Sequence, residues 1–283
     1  MVIGGTGFIG GYLVDNLAKK TGLELNLIYA GELLEENKLP GITYHQMDLT
    51  NISDELSDLV NGSDCVISLA TPNISLIENL IGSVKPGGPK KIVYSSTMLV
   101  YPDSDQLSSE NIEPAPETEY EKNKVAEERL LMEFVGTHEV KVCLARLGNV
   151  YGDIKNRGLV NYVMSALIND STLTINGQGQ HKRDYIFVQD VADLLDFLIF
   201  NDQKSDLEIF NVCTSHGYTI NQVINEIEKL SGRQIKKFYG ELIKEKLNVV
   251  GDNSKIISLS GYQLKYDLVS GLQQTYHNYL AKG

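Results

Sequence analysis

The chain has 283 residues, 42% of them hydrophobic and 22% charged, which is the balance of a globular protein with one large or two modest domains. Its formal net charge of −12 excludes an extended nucleic-acid surface, which needs a cationic face, but leaves room for a small anionic ligand held by local donors. No apolar run approaches the ~18 residues of a membrane span, and no basic region precedes an apolar stretch at the N-terminus, so a soluble, cytoplasmic protein with no membrane partner is expected.

The chain opens on a β-type run, MVI, that feeds the turn Gly4-Gly5-Thr6-Gly7-Phe8-Ile9-Gly10 and a helix through Leu17. Glycines at 4, 7 and 10 let a strand turn sharply into a helix, let its backbone approach a pyrophosphate, and aim free N–H groups at the anion. Three residues of feed are few where a central strand has ~5–6, which implies a stunted strand or a trimmed N-terminus. Next come LELNLIYA and ITYHQMD. Tyr29-Ala30-Gly31-Glu32 presents neither an acid where a ribose diol is usually bound nor an Arg for an extra phosphate, so NAD and NADP stay open. Asp48-Leu49 follows, with Asp48 able to accept a bond from an adenine amino group; an ordinary cap is the better reading of the residues alone.

DCVISLA, a helix over Asn73–Val84, KKIVYSS, a helix over Glu119–Val135 and KVCLARL continue the alternation. Near-continuous apolar strands between helices predict an α/β fold with a Rossmann-type, doubly wound parallel sheet. After Tyr151 the pattern loosens into a polar loop (Gly152–Gly158), a helix (Leu159–Leu167), the basic stretch NGQGQHKRD, a strand turning into a helix (YIFVQDVADLLDFLIF), IFNVC and an amphipathic helix over Ile220–Leu230. The expected division is a dinucleotide-binding domain over 1–152 and a smaller, interleaved substrate domain over 153–283, with 184–212 returning to the main sheet. Cys65, Cys143 and Cys213 lie in apolar runs and read as buried thiols of a reducing compartment. The five histidines show no ligand spacing, and no metal is expected.

Tyr120 and Lys124 form a YxxxK pair. Chance supplies such a pair about once, and the chain has a second at Tyr151/Lys155, so context must separate them. Tyr120 opens a helix with a capping-box pattern, Thr118 and Glu121, and Ala126, Leu130, Leu131 and Phe134 give that helix an apolar face. Positions i and i+4 share a face, so the Lys124 ammonium can sit beside the Tyr120 hydroxyl and lower its pKa, making it usable as an acid or base. Upstream, Ser95, Ser96 and Thr97 end a buried strand where parallel sheets bind ligands.

GGTGFIG, DL at 48–49, YSST followed by VYP, YEKNK, ARLGNVYG, RDYIFVQDVA, FNV and SGLQQTY follow one another in register. In these blocks the chain resembles extended short-chain dehydrogenase/reductases of the NAD-dependent epimerase/dehydratase family, which act on nucleotide-activated sugars. The resemblance implies that Tyr120 exchanges a proton with the sugar's 4-oxygen, that Thr97 hydrogen-bonds the same oxygen, and that Lys124 binds the nicotinamide ribose. It further implies that Gly4, Gly7, Phe8, Ile9 and Gly10 serve the pyrophosphate. Asp48, Leu49, Leu69 and Ala70 would line the adenosine side, Ser95 would join Tyr120 and Lys124 at the ring end, and Asn149 and Arg183 would face the diphosphate of a nucleotide-sugar substrate. HKR is also the basic cluster of the second half, and Arg grips phosphate with a planar fork. A homodimer is implied as well, commonly through the helix carrying Tyr120.

Two departures narrow the reaction. Met98 and Leu99 stand where the family's 4,6-dehydratases carry Asp-Glu, and neither can move a proton. After Ala70-Thr71 the chain is shorter than its kin by about a helix. The expected activity is an NAD(P)-dependent epimerase or 4-ketoreductase; the alternatives are a dehydratase and a non-catalytic dinucleotide-binding regulator.

Overall fold

A strand that is apolar at nearly every position must be covered on both faces, and β5 (Lys91–Thr97) is buried at all seven of its positions. The computed structural model describes residues 1–136, 138–241 and 245–282. The elements run β1 Val2–Ile3, α1 Phe8–Leu17, β2 Leu25–Tyr29, β3 Ile42–Gln46, α2 Asp54–Asn61, β4 Cys65–Ser68, α3 Ile74–Gly82, β5, α4 Glu119–Phe134 and β6 Lys141–Leu147. They continue as β7 Asn149–Tyr151, α5 Leu159–Ile168, β8 Leu173–Ile175, β9 Lys182–Phe187, α6 Val188–Phe200 and β10 Leu207–Val212. The last are β11 Gly217–Thr219, α7 Ile220–Ser231, β12 Lys237–Tyr239, β13 Asn248–Val249, α8 Ser254–Ser260 and α9 Leu268–Lys282.

The main sheet has seven strands in the order β10-β6-β5-β4-β1-β2-β3 and is parallel, a Rossmann-type doubly wound α/β fold. The chain winds outward from β1 through β2 and β3, then returns to β4 on the other side. Val2 pairs with Leu27 of β2 and with Ile67 of β4. The winding therefore reverses between β1 and β4, where open α/β sheets form a ligand crevice at their strand C-termini. On one face, Leu56 and Val60 of α2, Ile77 and Leu80 of α3, and Leu131 and Phe134 of α4 join Ile3, Val66, Ile92 and Tyr94 in one apolar cluster. α1 buries Leu13, Val14 and Leu17, and its Asn16 amide donates to Asp193 of α6 at 2.7 Å. β1 is short, as its feed implied; the Met1 amino group donates to the Cys65 carbonyl at 2.8 Å, and burial lowers its pKa.

By its contacts the chain forms two units. The first comprises Met1–Val100, Thr118–Arg146 and Ala192–Phe210; the second comprises Tyr101–Glu117, Leu147–Val191 and Asn211–Gly283. The partition is thus not a single cut in the sequence. Within the second unit β9 pairs with β7, β11 and β13, and β8 with β12. The 101–117 segment is anchored there by the Asp103 carboxylate, which accepts from the Leu247 and Asn248 N–H groups at 2.8 and 2.9 Å. Among the described residues no helix is long and apolar enough to cross a membrane.

α4 departs from its apolar pattern. Leu131 and Phe134 are buried as expected, but Ala126 and Leu130 are only half-buried, and the helix also buries Glu121, Lys124, Glu127 and Glu128. A stretch as charged as EYEKNK reads as solvated. Glu119 and Lys122 do pair on the surface, but Lys124, Glu127 and Glu128 enter the interior because they are paired with each other, with β5 and with Arg146 of β6.

Candidate active site

Backbone dictates the glycine turn. Gly4 adopts φ +79°, a left-handed conformation that side chains rarely take. A Cβ on Gly10 would lie 2.3 Å from the Gly4 carbonyl oxygen, so no side chain fits there without moving the turn. Gly7 caps α1 without a side-chain bond, and the first turn, begun by Phe8 and Ile9, contains no acid. The N–H groups opening the helix therefore meet no carboxylate from that turn to compete with an incoming anion.

Beside this turn lies a cavity of about 290 Å³ lined by Gly4, Tyr29, Asp48, Leu49, Ala70 and Leu76 among others. Leu69 closes in behind Gly4 through its backbone, its N–H bonded to the Ile3 carbonyl at 2.9 Å. Asp48 is exposed and accepts from the Thr50 N–H at 2.9 Å, which holds its carboxyl below the usual range. It does not cap α2; Ser53 does, accepting from the Leu56 N–H at 3.1 Å. At the rim, Tyr29 and Ala30 bring neither acid nor guanidinium.

The hydroxyl cluster lies in the same unit. Thr97 ends β5, and its hydroxyl lies by the Tyr120 phenol at the start of α4, near enough to favour the ionised phenol. The capping box sets where that helix begins: Thr118 accepts from the Glu121 N–H at 3.3 Å, and the Glu121 carboxylate accepts in return from the Thr118 N–H at 3.4 Å. Tyr120 is 45% exposed. Burial of its hydroxyl end nonetheless raises its pKa, while the Thr97 hydroxyl favours the phenolate and pulls the other way.

Lys124 is buried, and its ammonium points elsewhere than the sequence implied. It donates to the Tyr94 hydroxyl at 2.7 Å and to the Ser95 carbonyl at 2.9 Å. Desolvation pushes it down to about 8, against the opposing pull of Glu127, whose carboxylate lies 3.6 Å away. The Tyr94 hydroxyl in turn donates to Glu127. Glu127 also accepts from the Asn73 N–H at the foot of α3, and Glu128 forms a bidentate pair with Arg146 of β6 at 3.0 and 2.7 Å. Spacing carries a signal for Glu127, since Tyr120, Lys124 and Glu127 fall at i, i+4 and i+7 on one helix face. Tyr94 had no such signal.

The second YxxxK pair separates cleanly. Tyr151 is sunk against the Asp267 and Leu268 carbonyls at 3.4 Å, its pKa pushed far up by burial, whereas Lys155 is exposed in a loop. In the second unit, Asn149 opens β7 half-buried and pairs in register with Tyr185. Arg183 on β9 is buried; it donates to the Lys246 and Leu247 carbonyls at 2.7 and 3.0 Å and makes a longer ion pair with Glu245 at 3.5 Å.

A family model, the NAD dependent epimerase/dehydratase family, matches residues 1–213. The chain belongs to this family. It is 28% identical to GDP-6-deoxy-D-talose 4-dehydrogenase of Aggregatibacter actinomycetemcomitans, the match covering 99% of this chain and 97% of that protein. It is 24% identical to UDP-glucose 4-epimerase of Lactobacillus helveticus, over 97% of this chain and 94% of that one. A solved structure of UDP-glucuronic acid 4-epimerase from Bacillus cereus, in complex with UDP-glucuronic acid and NAD, superposes with a TM-score of 0.90 at 22% identity, covering 100% of this chain and 99% of the other. That likeness establishes the fold. Within it, this family member carries the Tyr94–Glu127 pair beneath Lys124 and the apolar Met98, 2% exposed, in the 3₁₀ turn after Thr97.

Proposed function

We propose that this family member transfers hydride at the 4-position of a nucleotide-diphosphate hexose, as an epimerase or a 4-ketoreductase. The observation that carries this reading is the Thr97–Tyr120 hydroxyl pair at the end of β5, in the same unit as the glycine turn. The names of the two curated relatives above both specify the 4-position.

The residues fit a dinucleotide. The turn at Gly4 and Gly10 excludes side chains, α1 offers its N-terminus, and the cavity beside it reaches Asp48, Leu49 and Ala70. Ser68 and Ser96, on adjacent strands of the sheet, are buried hydroxyls without a partner among the described residues. Gly4, Gly7, Phe8, Ile9 and Gly10 would hold the pyrophosphate, Asp48, Leu49, Leu69 and Ala70 the adenosine, and Ser95, Tyr120 and Lys124 the ring-end ribose. Bound there, NAD supplies a hydride acceptor and its reduced form a donor. We take NAD over NADP because the β2 end brings no guanidinium for a further phosphate.

Tyr120 takes the proton from the sugar's 4-hydroxyl as that carbon is oxidised and returns it when the ketone is reduced. Thr97 holds the same oxygen and steadies the phenolate. Asn149 and Arg183 bind the diphosphate, with phosphate oxygens displacing Glu245 from its long ion pair. Met98 and Leu99 cannot protonate or deprotonate the substrate, which separates this site from a dehydratase's.

The test is the absorbance and mass spectrum of the purified protein, followed by turnover of UDP-, dTDP- and GDP-hexoses and their 4-keto forms. Retained NAD with turnover indifferent to added cofactor identifies an epimerase. Turnover that needs a reduced cofactor and a 4-keto sugar identifies a reductase. Absence of turnover with every one of these sugars overturns the reading.

A further inference from the structure

Lys124 is placed where an ammonium is expensive to keep charged. It is 3% exposed, and desolvation is the largest influence on its titration. Its stability as a cation depends on what surrounds it.

The titratable and charged groups facing it are Glu127 and Glu128 from its own helix and Tyr94 from β5, and Tyr94 is in turn influenced by Tyr120. Glu128 is committed to Arg146 of β6 through both carboxylate oxygens. Glu127 is differently placed. It is 1% exposed, lies 3.6 Å from the Lys124 nitrogen, and shares the Tyr94 hydroxyl with it, the phenol accepting from the ammonium and donating to the carboxylate. The Asn73 N–H fixes its other oxygen at 2.5 Å. A buried carboxylate pinned by a backbone donor, a phenol and a cation has one arrangement available. We propose that Glu127 is a positioning residue, acting through the Tyr94 hydroxyl to keep the Lys124 ammonium charged and aimed at the Ser95 carbonyl.

Without the Glu127 charge, Lys124 loses its proton at lower pH. The site then has a neutral amine where a nicotinamide ribose and the Tyr120 phenolate need a cation, so the alkaline limb of activity moves to lower pH. A purely structural Glu127 would lower stability and leave that limb in place. The inference rests on Lys124 serving the proposed reaction, so the primary readout is Lys124 itself rather than turnover.

The experiment uses the full-length protein with ¹³C at the lysine Cε positions, titrated by NMR, the Lys124 signal being assigned by its loss in Lys124→Met. In the unaltered protein Lys124 titrates well below the other lysines. In Glu127→Gln its midpoint falls by at least about one pH unit, as expected for losing an opposite charge at this distance, and Glu127→Asp, which restores the charge, recovers most of the shift. A Glu127→Gln midpoint within a few tenths of the unaltered one overturns the proposal, whatever happens to the melting temperature. Should Glu127→Gln fail to fold, Tyr94→Phe removes the shared hydroxyl and keeps both charges. Its Lys124 midpoint must also fall, and an unmoved one overturns the proposal equally. The alkaline limb of kcat/KM is expected to follow the midpoint in each variant. If no nucleotide sugar is turned over by the unaltered protein, the functional reading fails while the lysine titration still decides this one.

Discussion

Thr97 and Tyr120 pull against the interior that holds them. Burial drives the Tyr120 pKa up, and the neighbouring Thr97 hydroxyl favours its ionised form. Removing that hydroxyl therefore raises the Tyr120 pKa further. In Thr97→Val the acidic limb of the pH–rate profile should move to higher pH, with a lower plateau; a limb that stays in place would exclude Thr97 from tuning the phenol. Tyr120→Phe removes the proposed proton carrier while retaining the ring. Turnover should fall by roughly 10²–10⁴. Cofactor affinity, followed by the fluorescence of the reduced dinucleotide, should fall far less than turnover, because the glycine turn, the cavity at Asp48 and Lys124 are untouched even though one ribose contact is lost. Unchanged turnover would remove Tyr120 from the chemistry. Most of this site was legible in the sequence, since a strand ending in hydroxyls, a capped helix and a glycine turn are local patterns. The aim of the Lys124 side chain was not. The i, i+4 rule puts two residues on one face, but which acceptor the ammonium finds is decided by Tyr94 and Glu127, and the Tyr94 contribution comes from a strand thirty residues upstream.

α4 shows the same limit for an element. Its start was readable because Thr118 and Glu121 satisfy each other's backbone donors, and both bonds form. Its buried face was not, because hydrophobic periodicity is silent about charges that enter the core in pairs. Glu128 and Arg146 are each about 2% exposed, or less, and meet through two bonds. Breaking one side strands a buried charge, which typically costs ~3–5 kcal/mol, whereas replacing both by apolar groups of like volume is often close to neutral. Glu128→Gln should therefore lower the urea midpoint strongly, and Glu128→Leu combined with Arg146→Met should recover most of the loss. A double variant as unstable as the single one would show that each side chain packs independently. Thr118→Ala should cost a smaller ~1 kcal/mol by the same assay, the usual magnitude for a lost cap. The parallel strands of the main sheet were likewise readable as apolar runs. β7, β8, β11, β12 and β13, two or three residues each, are too short to display any period.

At the scale of the whole molecule, an acidic chain divided into two units that each draw on three stretches of sequence must keep carboxylates inside both. Asp184 in the second unit is the clearest case. It is 1% exposed, accepts from the Thr214 N–H and hydroxyl at 2.8 and 2.7 Å, and burial still pushes its pKa up to about 6. An unfolded aspartate titrates near ~4, so between about pH 4 and pH 6 the folded chain binds the extra proton. Stability contributed by this group is then greatest at low pH and falls as pH rises through that window, by roughly 3 kcal/mol once both states are ionised. The other aspartates with resolved shifts are lowered, Asp48, Asp252 and Asp267 by local turn bonds and Asp64 and Asp170 by lysine partners, and they bend the profile the opposite way. The group is therefore isolated by difference. Asp184→Asn keeps an oxygen for Thr214 and removes the titration, so its stability relative to the unaltered protein should improve steadily from pH 4 to pH 7 in urea unfolding, and then level off. A stability difference that is flat across that range would mean that Asp184 enters the folded state as readily charged as neutral, with the Thr214 bonds offsetting its burial in full.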